Sequence, residues 1–318
     1  SKIKNQKKEK RNNLIEKSEI ASLIYLLDDN DTEVVEHVTS KLLSFGNQLI
    51  PIIEENWSLL DSIVKQERVE NLIKKIQSQS LESNLRSWVK SDERDLLEGL
   101  ILINKLYQPE VNITEVNKML DKIRLDVWLE LRDDLTSFEK VKILNYIFYD
   151  IHKFKGNTED YHNPKNSFIY NVLESKTGNP ILMACVYSIV AQKLHIPIYG
   201  INLPQHFILG YVKPEIEKPH VKAKYNSPYT LKENAGKTAM FYINPFNKGL
   251  VFSRENVKSF LDQLKIEHNE YFYTTCSHVE ILKRVVRNLI YAYEKQTNRT
   301  EVHQLDKMMD ILNDVNND

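Results

Sequence analysis

The side chains of widest chemical reach in this sequence are two thiols, Cys185 and Cys276, set among nine histidines. A thiol attacks a carbonyl only as thiolate, so its neighbours decide whether it reacts. Cys185 lies inside Gly178-Asn179-Pro180-Ile181-Leu182-Met183-Ala184-Cys185-Val186-Tyr187-Ser188-Ile189-Val190-Ala191, the longest near-continuous apolar run in the chain. On a helix its i−4, i−3 and i+4 neighbours are Ile181, Leu182 and Ile189. Such surroundings enclose a thiol and raise its pKa, so Cys185 reads as core packing. Cys276, in a Thr-Thr-Cys-Ser turn, reads as structural too, because the nearness of His278 in sequence says little about geometry. The two cysteines stand 91 positions apart, form no C-x-x-C pair, and no H-E-x-x-H is present. No disulfide framework, metal or cofactor is expected.

The elements that must position these groups follow from periodicity and caps. Asn179 is a good N-cap and Pro180 fits the first helical position, where a missing amide hydrogen costs nothing. The helix runs to about Leu194, and being apolar all round it must be enclosed by other elements. Ile196–Asn202, His206–Val212 and Met240–Ile243 read as strands, the second opening on the lone histidine of Pro204-Gln205-His206-Phe207. Between the second and third lies the polar stretch Lys213–Ala239, a long loop for which a lid and an unordered segment are both open.

Upstream, Ile20–Leu27 and Val34–Leu43 form helices resembling one HEAT-type unit. Helical pattern continues over Leu81–Tyr107 and Thr114–Leu131. Thr136-Ser137-Phe138-Glu139 then has capping-box spacing before a helix to about Ile151. Capping-box spacing recurs at Ser277 and Glu280, ahead of a helix pair of tetratricopeptide type. The expected organisation is a basic flexible tail (1–13), a HEAT-like lobe (14–80), a core with helical lead-in (81–253) and a helical hairpin (254–318).

Charge excludes some partners. Forty-three basic against 44 acidic residues give a net charge of −1, so no global field recruits nucleic acid or an anionic membrane. No apolar run reaches the roughly 18 residues needed to span a bilayer, and no charged-then-apolar leader is read. A cytoplasmic protein is expected.

Five motifs in order, Phe154-Lys155-Gly156-Asn157, Tyr161-His162-Asn163-Pro164-Lys165-Asn166-Ser167, Gly178-Asn179-Pro180-Ile181, Pro204-Gln205-His206-Phe207 and Ile243-Asn244-Pro245-Phe246, span roughly residues 136–253. In them the chain resembles the transglutaminase-like superfamily, and more closely an uncharacterised bacterial branch with a helical N-terminal region and tetratricopeptide-like C-terminal helices. The resemblance implies an α+β, mostly α fold: a papain/transglutaminase-like core, with a central helix and a small antiparallel sheet, flanked by helical lobes. It also implies papain-like chemistry, in which a cysteine in the first turn of the core helix attacks, a histidine takes the proton, and an aspartate or asparagine holds that histidine.

Aligning the later His195-Ile196-Pro197 step with the family's Gly-Ile-Pro-like step puts Pro180 where the nucleophile belongs. Pro180, His206 and Asn244 are then the remnant of a site that has lost its thiol. The favoured expectation is a non-catalytic module that binds a protein or peptide in a cleft lined by Tyr161, Asn166, Asn179, Gln205, His206 and Asn244. The alternatives are a cysteine-dependent acyl transferase or amidohydrolase using Cys185, His206 and Asn244, and a structural subunit with no cleft. For His206, burial against Asn244 or a backbone carbonyl and direct contact with a ligand both stand.

Overall fold

A computed structural model describes residues 17–213 and 231–314. The expected tail (1–13) and most of the 213–239 stretch therefore lie outside the described residues. The chain divides into two compact units, Ser1–Ser83 and Asn84–Asp318.

The described part of the first unit is all helical. Helix α1 (17–25) is followed by α2 (Thr32–Ser44), whose N-cap Asp31 accepts from the Glu33 amide, then α3 (Leu49–Glu55) and α4 (Ile63–Lys90). Leu27, Leu42, Leu49, Ile53 and Val69 build its core. Helix α4 extends to Lys90. No glycine or proline interrupts 63–90, so nothing local stops the backbone bonding.

In the second unit, α5 (Leu96–Asn104), α6 (Ile113–Glu130) and α7 (Ser137–Asn145) lead to the core. The Thr136–Glu139 capping box forms as its spacing predicts, each partner satisfying the other's amide. The helix after it reaches Ile151 as expected but changes form on the way. At Tyr146–Ile151 the backbone widens into a π-turn, closed by His152 N donating to Ile147 O.

A two-residue parallel pair, β1 (Lys155–Gly156) with β2 (Thr177–Gly178), brackets α8 (Ile169–Ser175). Then come α9 (Pro180–Lys193), β3 (Ile198–Asn202), β4 (Phe207–Val212), β5 (Ala239–Asn244), β6 (Leu250–Phe252), α10 (Arg254–Gln263), α11 (His278–Lys295) and α12 (Arg299–Asn313). Strands β3-β4-β5-β6 form an antiparallel meander. The fourth strand, three residues long, is too short to show alternation in sequence.

Helix α9 is the enclosed core helix. Every residue from Ile181 to Gln192 is buried, and each large apolar side chain so removed from water contributes about 1.5–3 kcal/mol. Helix α9 packs on β3 and β4, and α11 on α9 and β3. The pleat separates the sheet's two sides. Ile201, Ile208 and Tyr242 join Val257 and Leu261 of α10, while the Phe207 ring and Ile281 of α11 close over Gly200. A Cβ at Gly200 would collide with that ring. The result is an α+β, mostly helical fold with a small antiparallel sheet against a buried helix. Among the described residues no helix is long and apolar enough to cross a membrane.

Candidate functional site

The first turn of α9 is built from three of the sequence motifs. Asn179 caps it: its Oδ1 accepts from Leu182 N at 3.0 Å, and its Nδ2 donates to Ser167 Oγ at 2.7 Å, both inside the protein. Its backbone N donates to Asn166 O at 3.3 Å. Asn166 is equally committed, donating to the Asp160 and Tyr161 carbonyls and accepting from Asn157 Nδ2. Pro180 takes the first helical position.

A fourth motif closes over the same point. Asn244 Oδ1 accepts from the amides of Phe246 and Asn247, shaping a turn that lays the Phe246 ring on Gly156. A Cβ at Gly156 would overlap that ring. Tyr161 meets Phe246 edge-on at 6.0 Å. Two side chains, Tyr149 within the π-turn and Asn145 just before it, brace this turn: Tyr149 Oη donates to Pro245 O at 2.6 Å, and Asn145 Nδ2 donates to Gly249 O at 3.0 Å.

The structure places the two thiols deep. Cys185 is buried and free, and enclosure pushes its pKa far above the ordinary thiol value, with Cys276 adding to the effect. Burial likewise pushes Cys276 up to about 12.

His206 is exposed, which removes burial against Asn244 or a carbonyl from the two readings left open and leaves the ring accessible to a ligand. It follows Gln205, whose φ of 60° turns the chain out of the strand line. Its ring meets Phe260 of α10 edge-on at 5.0 Å, and among the described residues it makes no hydrogen bond to Cys185 or Asn244. Partial desolvation and then the Arg284 charge lower its pKa. Of the six cleft residues read from the sequence, Tyr161, Gln205 and His206 are exposed, Asn244 is half-buried, and Asn166 and Asn179 are buried.

Sequence reading missed Arg284. From the middle of α11 it reaches the Pro204–His206 turn, its Nη1 donating to Asn202 Oδ1 at 2.7 Å and to Leu203 O at 2.6 Å. Tyr161 and Tyr271 also lie within reach of its charge. No local signal marks it, because Arg284 lies 82 and 81 residues from Asn202 and Leu203, the two residues it holds. Among the described residues no group of three or more histidine, cysteine or carboxylate side chains is placed to hold a metal ion.

A second histidine shares the depressed basicity. His278 is buried, with Nδ1–H donating to Arg94 O at 2.7 Å, and desolvation lowers its pKa. Below the unfolded histidine value of about 6.5 the unfolded chain binds protons that the folded chain refuses at His206 and His278, so stability falls as pH drops through that value. Urea midpoints are expected to fall between pH 7.5 and pH 5.5. In His278→Leu, already weaker at pH 7.5 through loss of the Arg94 bond, the acid-side fall is expected to be smaller. An equal fall in that variant would exclude His278 as a cause.

An enclosed helix capped at its N-terminus, a small antiparallel sheet beside it, and a histidine at the start of the second strand define a transglutaminase-like core. Residues 114–287, more than half of the chain, match the transglutaminase-like superfamily, and the protein belongs to it. Among named relatives it is 25% identical over 202 residues to F-box only protein 21 of Homo sapiens, covering 56% of this chain and 32% of that protein. It is 27% identical over 173 residues to a UPF0162 protein of Vibrio cholerae, covering 54% of each. To a UPF0162 protein of Xylella fastidiosa (strain 9a5c) it is 34% identical over 130 residues, 40% of this chain and 45% of the relative. The chain thus spans about a third of the length of the first relative and about half of the bacterial ones. No solved structure matches it.

Proposed function

We propose that this protein is a non-catalytic transglutaminase-like module that binds an extended protein or peptide segment at the surface carrying Tyr161, Gln205 and His206, with a HEAT-like lobe before the core and the α11–α12 pair as a tetratricopeptide-like flank. One observation carries the reading: the opening turn of α9 presents Asn179, Pro180, Ile181 and Leu182, none of which is a nucleophile. The capping amide that would stabilise a thiolate there, Leu182 N, is taken by Asn179 Oδ1. The remaining thiol of that helix is enclosed and held protonated.

Thiol labelling with iodoacetamide at pH 7.5 tests the loss of chemistry. Cys185 is expected to label only as fast as the folded protein opens, at a rate unaffected by His206→Ala. Rapid labelling of native protein that His206→Ala abolishes would restore the enzyme reading.

A further inference from the structure

A partly buried guanidinium normally sits against a carboxylate, because leaving its charge uncompensated costs solvation energy. Arg284 has no such partner among the described residues. Both of its hydrogen bonds leave from Nη1 and end on neutral oxygens, Asn202 Oδ1 and Leu203 O. Its Nε and Nη2, the two parallel donors along the other edge of the fork, bond to nothing among the described residues. Around it stand Tyr161, Tyr271, Cys276, His206 and a second cation, Arg287, one turn further along α11. Asn202 Nδ2 donates to Tyr271 Oη at 3.2 Å, fixing the other side of the same turn. The nearby carboxylate of Glu280 lies beside Tyr271 and is drawn instead to Lys283, 3.5 Å away. Arg287 is exposed and forms no ion pair among the described residues.

We propose that the free Nε–Nη2 edge of Arg284, reinforced by Arg287, receives a carboxylate of a bound peptide beside the Pro204–His206 turn. Resting on the peptide-binding reading above, it narrows the partner to an acidic segment or a free C-terminus. Two parallel N–H donors match the two oxygens of a carboxylate, and a pair of adjacent cations with no acid between them raises the gain on neutralisation. Tyr161, edge-on to Phe246, gives an aromatic wall on which the peptide's apolar atoms rest.

The experiment uses fluorescein-labelled random octapeptide pools and the full chain, read by polarisation at two salt concentrations. One pool is glutamate-rich and C-terminally amidated, one has glutamine in place of glutamate with a free C-terminus, one has glutamine and an amide, and one carries phosphoserine. The expected result is that one carboxylate pool binds at least about tenfold more tightly than the glutamine amide pool, and that Arg284→Gln and Arg287→Gln each remove most of that preference. Which carboxylate pool wins tells a side-chain acid from a chain end. Arg284 also holds the turn, so Arg287→Gln, on an exposed residue, decides the matter should Arg284→Gln fail to fold.

Pools that all bind equally, and indifferently to Arg287→Gln, would overturn the carboxylate site and leave the peptide reading standing. Preference for phosphoserine would overturn the carboxylate assignment. Should no pool bind, the peptide reading fails, and acetate titrated against the Arg284 Nε–H resonance decides the anion site alone: a saturable shift lost in Arg284→Gln upholds it, and no shift overturns it.

Discussion

Asn145→Ala is expected to lower the unfolding free energy by about 2–5 kcal/mol in urea denaturation at pH 7.5. The Asn145 amide is spent twice inside the protein: Oδ1 accepts from Tyr187 Oη at 2.8 Å, and Nδ2 donates to Gly249 O at 3.0 Å. Tyr187 is 1% exposed and Gly249 is buried, so truncation strands a hydroxyl and a carbonyl that the native fold pairs only with Asn145 among the described residues. Each stranded group costs about 1–3 kcal/mol, well above the net worth of an ordinary hydrogen bond. Tyr187→Phe removes the hydroxyl with the bond and is expected to cost only about 1 kcal/mol. The double variant should therefore lose less than the sum of the singles, since the orphaned hydroxyl is absent from it. A loss under about 1 kcal/mol for Asn145→Ala would mean that the Pro245–Gly249 turn relaxes and resatisfies itself. That turn carries Phe246, so the same variant should also loosen the contact between Phe246 and Gly156 that closes over the α9 N-terminus.

What the residues disclosed in advance was local. Asn179-Pro180 marked the start of α9, Thr136 with Glu139 marked α7, and Ser277 capped α11 by accepting from Glu280 N, because a cap is made by residues two or three apart. The enclosure of Cys185 was equally readable, since a helix apolar on every side has no face for solvent. Partners distant in the chain were not readable. Pairing of Gly156 with Gly178 joins single residues across 22 positions, and β6 registers on β5 through a glycine turn at φ 67°. The exposure of His206, one of two readings the sequence leaves open, was undecidable for a related reason. Phe207–Val212 is buried throughout, and only the left-handed Gln205 before it, a conformation that composition does not announce, keeps the histidine outside. Arg284 falls between Lys283 and Val285, both buried, and its reach to Leu203 is set by the packing of α11 on β3.

Asn179→Ala carries the second large effect, a loss of about 2–4 kcal/mol. The cap itself accounts for about 1 kcal/mol, through the unsatisfied Leu182 amide. The rest comes from Ser167 Oγ, buried at 4% exposure, which loses the Asn179 Nδ2 donor. Asn179→Ser retains an oxygen for the cap but cannot reach Ser167 as the amide does, so it should fall between wild type and alanine. The consequence reaches the thiol. If Cys185 is labelled only through opening, its rate rises with the open population, and a 2–4 kcal/mol loss should speed alkylation by about 30- to 1,000-fold without any change in the thiol's own surroundings. A rate that stays put while stability falls would mean that the reagent reaches Cys185 in the native fold, and the α9 helix would then have to be counted as bearing an accessible sulfur after all.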